Sequence, residues 1–309
     1  MNATTAHSQT HWTPEQIGDL TGRTAFITGG NSGIGMETAR VLTRHGAAAV
    51  LAGRDQTRLD EAATELRRQQ PDAAVRTAVL DLGSLASIRS IAERFAGERI
   101  DLLFNNAGVM NIPQRRTTSD GFEFTFGVNH LGHFALTAGL LPALKRAPSA
   151  RIVTVSAQAG TWRAGKLDDL MSERTYGAMR AYSKSKRANI VFTAELARRL
   201  DGTGVLPVVV HPGAAMTNLQ RHNQSLLTRV VIVLTRPIAM GSPAGAAWPS
   251  LYAAASPSVV AGGFYGPAGR DQTSGTPKRL PLPPGAGDPA EGDRLWQESE
   301  RLTGVRFAV

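Results

Sequence analysis

A glycine-rich turn between a predicted strand and a predicted helix constrains the fold of this chain more than any other feature. The turn reads Thr28-Gly29-Gly30-Asn31-Ser32-Gly33-Ile34-Gly35. An apolar run beginning at Arg23 precedes it, and a helical pattern continues from it to His45. Gly29 permits a tight turn, Gly33 lets the backbone approach a pyrophosphate, and Gly35 allows the helix to pack closely on the strand. The unpaired N–H groups at the start of the helix favour an anion there. This placement predicts a dinucleotide-binding βαβ unit.

Short β-branched runs alternate with helical patterns along the chain, which is typical of βαβ units and a parallel sheet. Strands are predicted at Arg23–Gly29, Ala48–Gly53, Val75–Leu80, Leu102–Asn105, Arg151–Ser156 and Val205–Val210, and helices at Met36–His45, Leu59–Gln69 and Arg294–Leu302. Strands of nearly continuous apolar composition fit a sheet covered on both faces. We therefore expect an α/β fold with a doubly wound parallel sheet (a Rossmann fold). It would form a single domain over residues 21–309, after a polar N-terminal tail at residues 1–20.

The composition limits the classes of function. The chain has 309 residues, of which 42% are apolar and 19% charged, so it can bury a sizeable core. It has no cysteine, which excludes disulfides, a thiolate nucleophile and a thiolate metal site. The formal charge of +9 comes from scattered arginines without a long basic tract, so we expect no nucleic-acid partner and a preference for an anionic cofactor. The seven histidines show no convincing ligand spacing. We therefore predict no metal, with His130 and His133 in packing or capping positions.

No segment has the length and composition of a membrane span or a secretory signal. The nearest candidate, Leu226 to Leu234, is short and is interrupted by Arg229. A surface helix or a substrate lid, placed at about residues 217–240, is the favoured interpretation, and peripheral membrane contact is the alternative. A cytoplasmic location is the expectation.

The end of the second predicted strand indicates which dinucleotide binds. An acidic residue at that place would accept hydrogen bonds from a ribose 2′-hydroxyl and repel a 2′-phosphate. The chain instead has Gly53 followed by Arg54, whose guanidinium can pair with a phosphate through two parallel hydrogen bonds. Asp55 is predicted to cap the helix that runs from Gln56. The sequence therefore favours NADP(H) over NAD(H).

A tyrosine and a lysine four residues apart form the candidate acid/base pair. Tyr182 and Lys186 share one face if this segment is helical. A phenol has a pKa of about 10, and a neighbouring ammonium group is expected to lower it and make Tyr182 a usable acid or base. The alternative is a surface tyrosine and lysine on a basic helix.

Taken together, these residues resemble the short-chain dehydrogenase/reductase family. The matching pieces are the Gly29–Gly35 turn, Asp81-Leu82, Asn105-Asn106-Ala107-Gly108, Asn129, Tyr182 with Lys186, and Pro212-Gly213 with Thr217. More narrowly, the chain is similar to the branch that contains retinol dehydrogenases and protochlorophyllide reductase-like oxidoreductases. That likeness rests on Val128–Phe134, Ser185–Asn189, Leu295-Trp296 and Leu302–Val305. The resemblance extends from about Thr21 to the C-terminus.

The resemblance implies roles for most of these positions. It places Asn106, Ala107 and Gly108 along the adenosine side of the cofactor and Asp81, with Leu82, near the adenine. Pro212, Gly213 and Thr217 would hold the nicotinamide end, Lys186 would hydrogen-bond the nicotinamide ribose, and Asn129 would anchor a water in a proton relay. The family also commonly self-associates, although the helix faces of this sequence offer no decisive signal.

One position departs from the family pattern. Related chains commonly read Val-Ser-Ser where this chain reads Val155-Ser156-Ala157, and the second serine of that pattern donates a hydrogen bond to the substrate oxygen. Successive side chains of a strand point to opposite faces, so Ser156 cannot replace it without a bulge. Loss of one such donor typically costs ~2.7–4 kcal/mol in the transition state, or ~10²–10³ in rate.

Three accounts of the missing hydroxyl remain open. Gln158, Thr161 or the substrate itself replaces the donor, or the reaction is the reduction of a conjugated C=C bond that does not need it. In the third account the chain is a catalytically impaired NADP-binding sensor or scaffold. The favoured function is hydride transfer between NADP(H) and a carbonyl, alcohol or enone of a hydrophobic small molecule. Trp162 and the loop at residues 175–179 are expected beside that substrate.

Overall fold

The computed structural model describes residues 12–162, 167–213 and 243–308. An eight-stranded sheet forms its centre, with the order β3-β2-β1-β4-β5-β6-β7-β8. The strands are β1 (Thr24–Thr28), β2 (Ala48–Gly53), β3 (Val75–Val79), β4 (Leu102–Asn105), β5 (Ala150–Val155), β6 (Val205–Val210), β7 (Phe264–Pro267) and β8 (Pro277–Leu280). All neighbouring strands are parallel except β7 and β8. The predicted α/β fold with a largely parallel sheet is confirmed.

Helices cover both faces of this sheet. They are α1 (Gly33–Arg44), α2 (Gln56–Gln69), α3 (Leu85–Phe95), α4 (Phe124–Phe126), α5 (Gly132–Lys145), α6 (Ala178–Arg199), α7 (Pro243–Ala255) and α8 (Pro289–Thr303), with a π-helical turn, Gly127–Leu131, between α4 and α5. One apolar core lies between the sheet and α3, α5, α6 and α8. A second core lies between the opposite face and α1, α2 and α7. Burial on both faces explains why the strands are nearly continuous apolar runs.

Local sequence signals account for where several elements begin. The β2, β4 and β6 strands have the predicted bounds. The side chain of Asp55 accepts a hydrogen bond from the backbone N–H of Arg58, so the predicted cap is confirmed and α2 begins at Gln56. The last helix begins at Pro289, before the predicted Arg294, because Asp288 caps it. No prediction was made for β7, β8 or α7, since the two strands have only four residues each and α7 contains Pro249.

Part of the segment predicted as a polar tail packs on the domain. The Trp12 ring meets the rings of Trp248 and Tyr252 edge-on, with centroid separations of 6.5 and 5.3 Å. Ile17 and Leu20 are buried in the core that α7 also covers. Apolar burial of this kind stabilises a chain segment in proportion to the area removed from water. The packed chain therefore includes residues 12–20, which precede the predicted boundary at residue 21.

An aromatic cluster joins the C-terminal helix to the middle of the chain. Trp296 of α8 lies with its ring centroid 5.2 Å from that of Phe134 on α5 and 5.9 Å from that of Phe192 on α6. His130 lies in the same region, with Nδ1 3.3 Å from Asn189 Oδ1 and Nε2 3.0 Å from Ser299 Oγ. These contacts fasten α8 to α6 and to the π-helical turn, so the C-terminal segment supports the elements that carry the candidate site.

Burial keeps two histidines of this region neutral. His130 and His133 are both about 1% exposed. Burial disfavours the charged imidazolium and lowers the pKa of His130 to about 4 and that of His133 to about 3. Both side chains form hydrogen bonds within the core. They have the packing role that the sequence favoured.

The lowered pKa of His130 predicts acid sensitivity. Below the ordinary histidine pKa of about 6.5, the unfolded chain binds a proton that the folded chain excludes. The stability contribution is therefore complete above pH 6.5 and is lost as the pH falls towards 4, by on the order of 3 kcal/mol. Urea unfolding measured from pH 7.5 to pH 4.5 should show a smaller loss for His130→Gln than for the native chain. The partly exposed His45, changed to Gln, is the control, and equal losses in the native and His130→Gln chains would contradict the prediction.

Candidate active site

The candidate site lies where the order of the parallel strands reverses. Strands β1 and β4 are neighbours in the sheet. From β1 the chain continues to β2 on one side, and from β4 it continues to β5 on the other side. A cleft of about 1180 Å³ opens at the carboxyl ends of these strands. Ligands of open α/β sheets bind at such a crevice, because the loops above the strands diverge there.

The glycine turn forms one wall of the cleft. Gly29 and Gly33 have φ angles of +67° and +55°, which side chains other than glycine rarely adopt. The N–H of Gly29 donates to the carbonyl of Ala52 at 2.7 Å, which ties the turn to β2. A Cβ added at Gly35 would lie 2.4 Å from the carbonyl oxygen of Gly29. The turn and the start of α1 are thus in contact, and Gly33 and Ile34 at the start of the helix line the cleft, where the unpaired N–H groups of a first helical turn favour a pyrophosphate.

The hydroxyl of Thr28 joins this turn to the loop that follows β4. Thr28 Oγ1 accepts hydrogen bonds from the backbone N–H groups of Asn106 and Ala107, each at 2.9 Å. The Asn106 side chain donates back to the carbonyl of Thr28 at 2.8 Å. The glycine motif alone assigns no role to Thr28, although a polar residue at the buried end of an apolar strand is a signal that could have found it.

His133 connects Thr28 to the π-helical turn. Its Nδ1 lies 3.1 Å from the carbonyl oxygen of Asn129, which can only accept, so Nδ1 carries the proton. Its Nε2 lies 3.0 Å from Thr28 Oγ1 and can accept the hydroxyl proton. The carbonyl oxygen of Phe104, also 3.0 Å from Oγ1, is the other acceptor within reach of this hydroxyl. This neutral tautomer agrees with the pKa of about 3, to which burial lowers the imidazole.

Two arginines stand at the end of the cleft near β2. Arg54 follows β2, lines the cleft and is exposed. Arg58, one turn into α2, lines the same part and lies with its Nε 3.5 Å from Asp55 Oδ2. Arg54 was predicted from its place directly after the second strand, whereas Arg58, inside the helix, was not predicted. Asp81 is also at this end, and its Oδ1 accepts a hydrogen bond from the N–H of Gly83 at 2.9 Å.

Tyr182 and Lys186 lie on one face of α6, as their spacing predicted, and both line the cleft. Lys186 Nζ donates to the carbonyl of Val155 at 2.9 Å and lies 5.8 Å from the centre of the Tyr182 ring. Burial lowers the pKa of Lys186 to about 8. Burial also raises the pKa of Tyr182 above its ordinary value, whereas the sequence predicted that Lys186 would lower it. The phenol is 8% exposed, so desolvation disfavours the phenolate.

Asn129 lies just behind the cleft and is fully buried. Its Oδ1 accepts from the N–H of Val109 at 2.7 Å, and its Nδ2 donates to the carbonyl of Val109 and to Ser185 Oγ, both at 2.9 Å. The side chain therefore clamps the loop after β4 onto α6. These three bonds fix the position of the chain beside Lys186.

The end of β5 and the residues after it contact α6 at Lys186. Ser156 is buried and donates its hydroxyl proton to the carbonyl of Lys186 at 2.7 Å. Ala157 lines the cleft next to it and brings no donor. Thr161 donates to the carbonyl of Gln158 at 2.7 Å, and the amide nitrogen of Gln158 donates to the carbonyl of Asp271 at 3.1 Å. Gln158 also lines the cleft, so it is better placed than Thr161 to face a ligand.

The part of the cleft beyond Tyr182 is largely apolar. Its lining includes Val109, Met110, Ile112, Pro113, Phe124, Ala159, Trp162 and Met179. Trp162 and Met179 are 48% and 43% exposed, which is high for large apolar side chains. Trp162 was expected at this place from the sequence. An apolar lining with a few polar groups is typical of small-molecule sites.

Most of the predicted cofactor residues line this one cleft. They are Gly29, Asn31, Ser32, Gly33, Ile34, Arg54, Asp81, Leu82, Asn106, Ala107, Gly108, Tyr182, Lys186, Pro212 and Gly213. Gly35 and Asn129 support the wall from behind. Thr217 and the predicted lid at residues 217–240 lie outside the described residues.

Among the described residues, no group of three or more His, Asp or Glu side chains is placed to hold a metal ion. Among the helices of these same residues, none has the length and apolar character needed to cross a bilayer.

Comparison with known proteins defines the class. Residues 23–226 match the family model described as short chain dehydrogenase. The chain is 40% identical over 306 residues to human retinol dehydrogenase 14, covering 93% of this chain and 88% of that one. It is 40% identical over 294 residues to human retinol dehydrogenase 13, covering 93% and 86%. The chain therefore belongs to the short-chain dehydrogenase/reductase family and is an NAD(P)-dependent oxidoreductase related to retinol dehydrogenases.

Solved structures agree with this class. A crystal structure of an uncharacterized protein from Mycobacterium paratuberculosis superposes with a TM-score of 0.78 at 36% identity, covering 97% of this chain and all of that one. The Pseudomonas aeruginosa RhlG/NADP active-site complex superposes with a TM-score of 0.64 at 26% identity, covering 80% and 94%.

The contact at Gly35 predicts a sharp loss of cofactor binding in Gly35→Ala. The added Cβ would also lie 2.7 Å from Asn106 Nδ2, so the turn, α1 and the loop after β4 must separate. We expect the NADPH dissociation constant, measured by fluorescence titration, to rise at least about tenfold, since a displaced turn loses several charge-assisted bonds. Gly97 has no atom within 4 Å of such a Cβ, so Gly97→Ala is the matched control and should bind normally. Normal binding by Gly35→Ala would count against the assignment of the turn.

Proposed function

We propose that this protein transfers hydride between NADP(H) and a carbonyl or alcohol of a hydrophobic small molecule, with Tyr182 as the acid/base group. One observation carries the proposal: the phenol of Tyr182 and the amine of Lys186 line the same cleft as the glycine turn and the start of α1. The apolar lining beyond Tyr182 supports a hydrophobic substrate, as do relatives whose names specify retinol.

The residues of the cleft fit a dinucleotide. Gly29, Gly33 and Ile34 line the cleft, and the unpaired N–H groups in the first turn of a helix such as α1 favour a pyrophosphate. When bound, the nicotinamide supplies or accepts the hydride, and the chain supplies position, charge and a proton. Asn106, Ala107 and Gly108 would lie along the adenosine side, with Asp81 and Leu82 at the adenine. Pro212 and Gly213 would hold the nicotinamide end, together with Thr217.

Tyr182 is suited to give a proton to the substrate oxygen. Because burial raises the pKa of Tyr182, the phenol keeps its proton at neutral pH. A carbonyl oxygen that becomes an alkoxide is far more basic than a phenolate, so the proton transfer is favourable in the direction of reduction. The lowered pKa of Lys186, about 8, leaves its amine mostly protonated at pH 7, and the charge can stabilise the phenolate that remains.

Asn129 has a positioning role in this proposal. Its side chain fixes Val109 at one wall and Ser185 at the other, next to Lys186 in sequence. This clamp sets the separation between the loop after β4 and the ammonium group. The relay water expected from the family would lie between Asn129 and Lys186.

Ala157 determines which carbonyl compounds can react. The buried hydroxyl of Ser156 is committed to the carbonyl of Lys186, so it does not replace the missing donor. Of the two remaining candidates on the chain, Gln158 lines the cleft. We propose that a polar group of Gln158 or of the substrate itself takes this place, and that activated carbonyl groups react faster than simple ketones.

Arg54 is proposed to select NADP(H). Its exposed guanidinium lies beyond β2, where the 2′-phosphate of an adenosine bound at the turn would be. Arg58 lies beside it and adds positive charge. The Pseudomonas aeruginosa RhlG/NADP active-site complex, which superposes on this fold, holds NADP.

Removal of the Arg54 side chain should therefore weaken the binding of NADPH much more than the binding of NADH. In Arg54→Ala, the dissociation constant of NADPH should rise about ten- to hundredfold, because a charge-assisted pair with phosphate is lost. The dissociation constant of NADH should remain within about twofold of the native value. Arg294→Ala, an exposed substitution on α8, is the control. Equal weakening of both cofactors would refute the role of Arg54.

The role of Tyr182 is tested by turnover. NADPH oxidation would be followed by absorbance with a panel of aldehydes, ketones and enones, for the native chain, Tyr182→Phe and Ala157→Ser. We expect native turnover that falls by about 10²–10⁴ in Tyr182→Phe while NADPH still binds, since only the proton donor is removed. In Ala157→Ser, turnover of simple ketones should rise by up to about 10².

The same panel distinguishes the competing accounts. Turnover confined to enones, and indifferent to Ala157→Ser, would indicate reduction of a conjugated C=C bond. Tight NADPH binding without native turnover, together with activity in Ala157→Ser, would indicate a carbonyl site that has decayed and a sensor or scaffold function.

A further inference from the structure

The outer, apolar part of the cleft carries two positively charged side chains and no carboxylate among its described lining residues. Arg115 and Arg116 line it, next to Ile112 and Pro113. The carboxylates that line the described cleft are those of Asp55 and Asp81, which belong to the opposite end near β2. Two guanidinium groups beside an apolar wall form a site for an anion attached to an apolar body.

Both arginines are held in place by contacts other than ion pairs. The guanidinium of Arg116 lies over the ring of Phe124, 3.9 Å from its centre, which leaves the N–H groups at its edge for a ligand. Arg115 donates through Nε to the carbonyl of Met171 at 3.0 Å, and its two terminal nitrogens carry further N–H donors. Within residues 12–162, 167–213 and 243–308, neither arginine forms an ion pair of 4 Å or less with a carboxylate.

Neighbouring acidic residues are already engaged elsewhere. Glu123 is fully buried, and its two oxygens accept from the N–H groups of Thr125 and Phe126 at 2.9 and 2.7 Å. Asp168 lies 4.0 Å from Arg174 and 4.0 Å from Arg180 at the rim. The positive charge of Arg115 and Arg116 therefore faces the cleft without being neutralised by either of these carboxylates.

The segment from Gly108 to Arg116 connects these arginines to the part of the cleft that contains Lys186. Gly108 lies beside Lys186, since a Cβ there would be 3.4 Å from its Nζ. The segment then passes Ile112, whose carbonyl accepts from the Tyr176 hydroxyl at 2.6 Å, before it reaches Arg115 and Arg116. Eight residues beyond Gly108 reach at most about 29 Å when fully extended, and Asn111, at φ +57°, shortens that span. The arginines and Tyr182 line one cleft, so a single elongated apolar molecule in that cleft can contact both.

We propose that Arg115 and Arg116 bind a carboxylate at the far end of the substrate, so that the substrate is an apolar carbonyl or alcohol compound with a terminal acid group. A carboxylate has two oxygens in one plane and matches the planar fork of a guanidinium. The proposal rests on the proposed hydride transfer, whose reacting carbon lies at Tyr182. It assigns the substrate class and the residues that select it.

Matched probes test this assignment. NADPH oxidation would be measured with ω-oxododecanoate and with its methyl ester, which have the same chain and differ in charge. For the native enzyme we expect a KM at least about tenfold lower for the acid, since a charge-assisted pair is worth about a factor of ten or more. Arg116→Gln and Arg115→Gln should each raise the KM of the acid, leave that of the ester unchanged and change kcat little. Arg174→Gln, on the same rim but outside the cleft lining, is the matched control.

The outcomes separate this proposal from the one on which it rests. Equal KM values for acid and ester in the native enzyme, or equal changes in both for the two variants, would overturn the carboxylate site. A weaker NADPH affinity in the Arg115 and Arg116 variants would assign these residues to the cofactor instead.

If no aldehyde of the panel is turned over, the hydride-transfer proposal fails. Calorimetric binding of dodecanedioate against its dimethyl ester, in the presence of NADP⁺, then still decides the site: tighter binding of the diacid supports it, and equal binding overturns it.

Discussion

The buried hydroxyl of Thr28 is the contact on which the geometry of the cleft depends. It lies at the carboxyl end of β1 and accepts from the N–H groups of Asn106 and Ala107, so it fixes the loop after β4 against the glycine turn. Through His133 it also reaches the carbonyl of Asn129, which in turn clamps Val109. Loss of such a hydroxyl would leave two partly buried N–H groups without their acceptor, at up to about 1–3 kcal/mol each. One side chain thus sets the relative positions of three segments that are far apart in sequence.

Burial has opposite effects on the two ionisable groups beside that network. It raises the pKa of the Tyr182 phenol and lowers the pKa of the Lys186 amine to about 8, so it brings both groups towards their neutral forms. The sequence predicted only the electrostatic effect of a nearby ammonium, which lowers the pKa of a phenol. Lys186 donates to the carbonyl of Val155 and lies 5.8 Å from the ring centre, and its charge does not offset the loss of water around the phenol. The balance favours proton donation by Tyr182 over proton removal.

Features that depend on neighbouring residues in sequence could be predicted, and features that depend on distant contacts could not. The βαβ alternation and the spacing of Tyr182 and Lys186 follow from periodicity, and the cap at Asp55 follows from its place before an amphipathic run. The bond from Ser156 to the carbonyl of Lys186 spans thirty residues and has no local signature. The same is true of the seat of Arg116 on Phe124, and of the packing of Trp12 on Trp248, which lies more than two hundred residues away. Short strands such as β7 lack the length that makes a pattern recognisable.

The hydrogen bond of Ser156 limits how the hydroxyl that Ala157 lacks can be replaced. Its neighbour Ser156 cannot turn towards the substrate without abandoning a buried carbonyl, which would cost about as much as an unsatisfied hydrogen bond, ~1–3 kcal/mol. A missing substrate donor costs ~2.7–4 kcal/mol in the transition state, so exchanging one hydroxyl for the other gains little. In the proposed carbonyl reaction, compensation would therefore come from the substrate or from a group such as Gln158 at the cleft wall. A substrate anchored at its far end by Arg115 and Arg116 would lose less entropy on reaching Tyr182, which can offset part of the missing hydrogen bond.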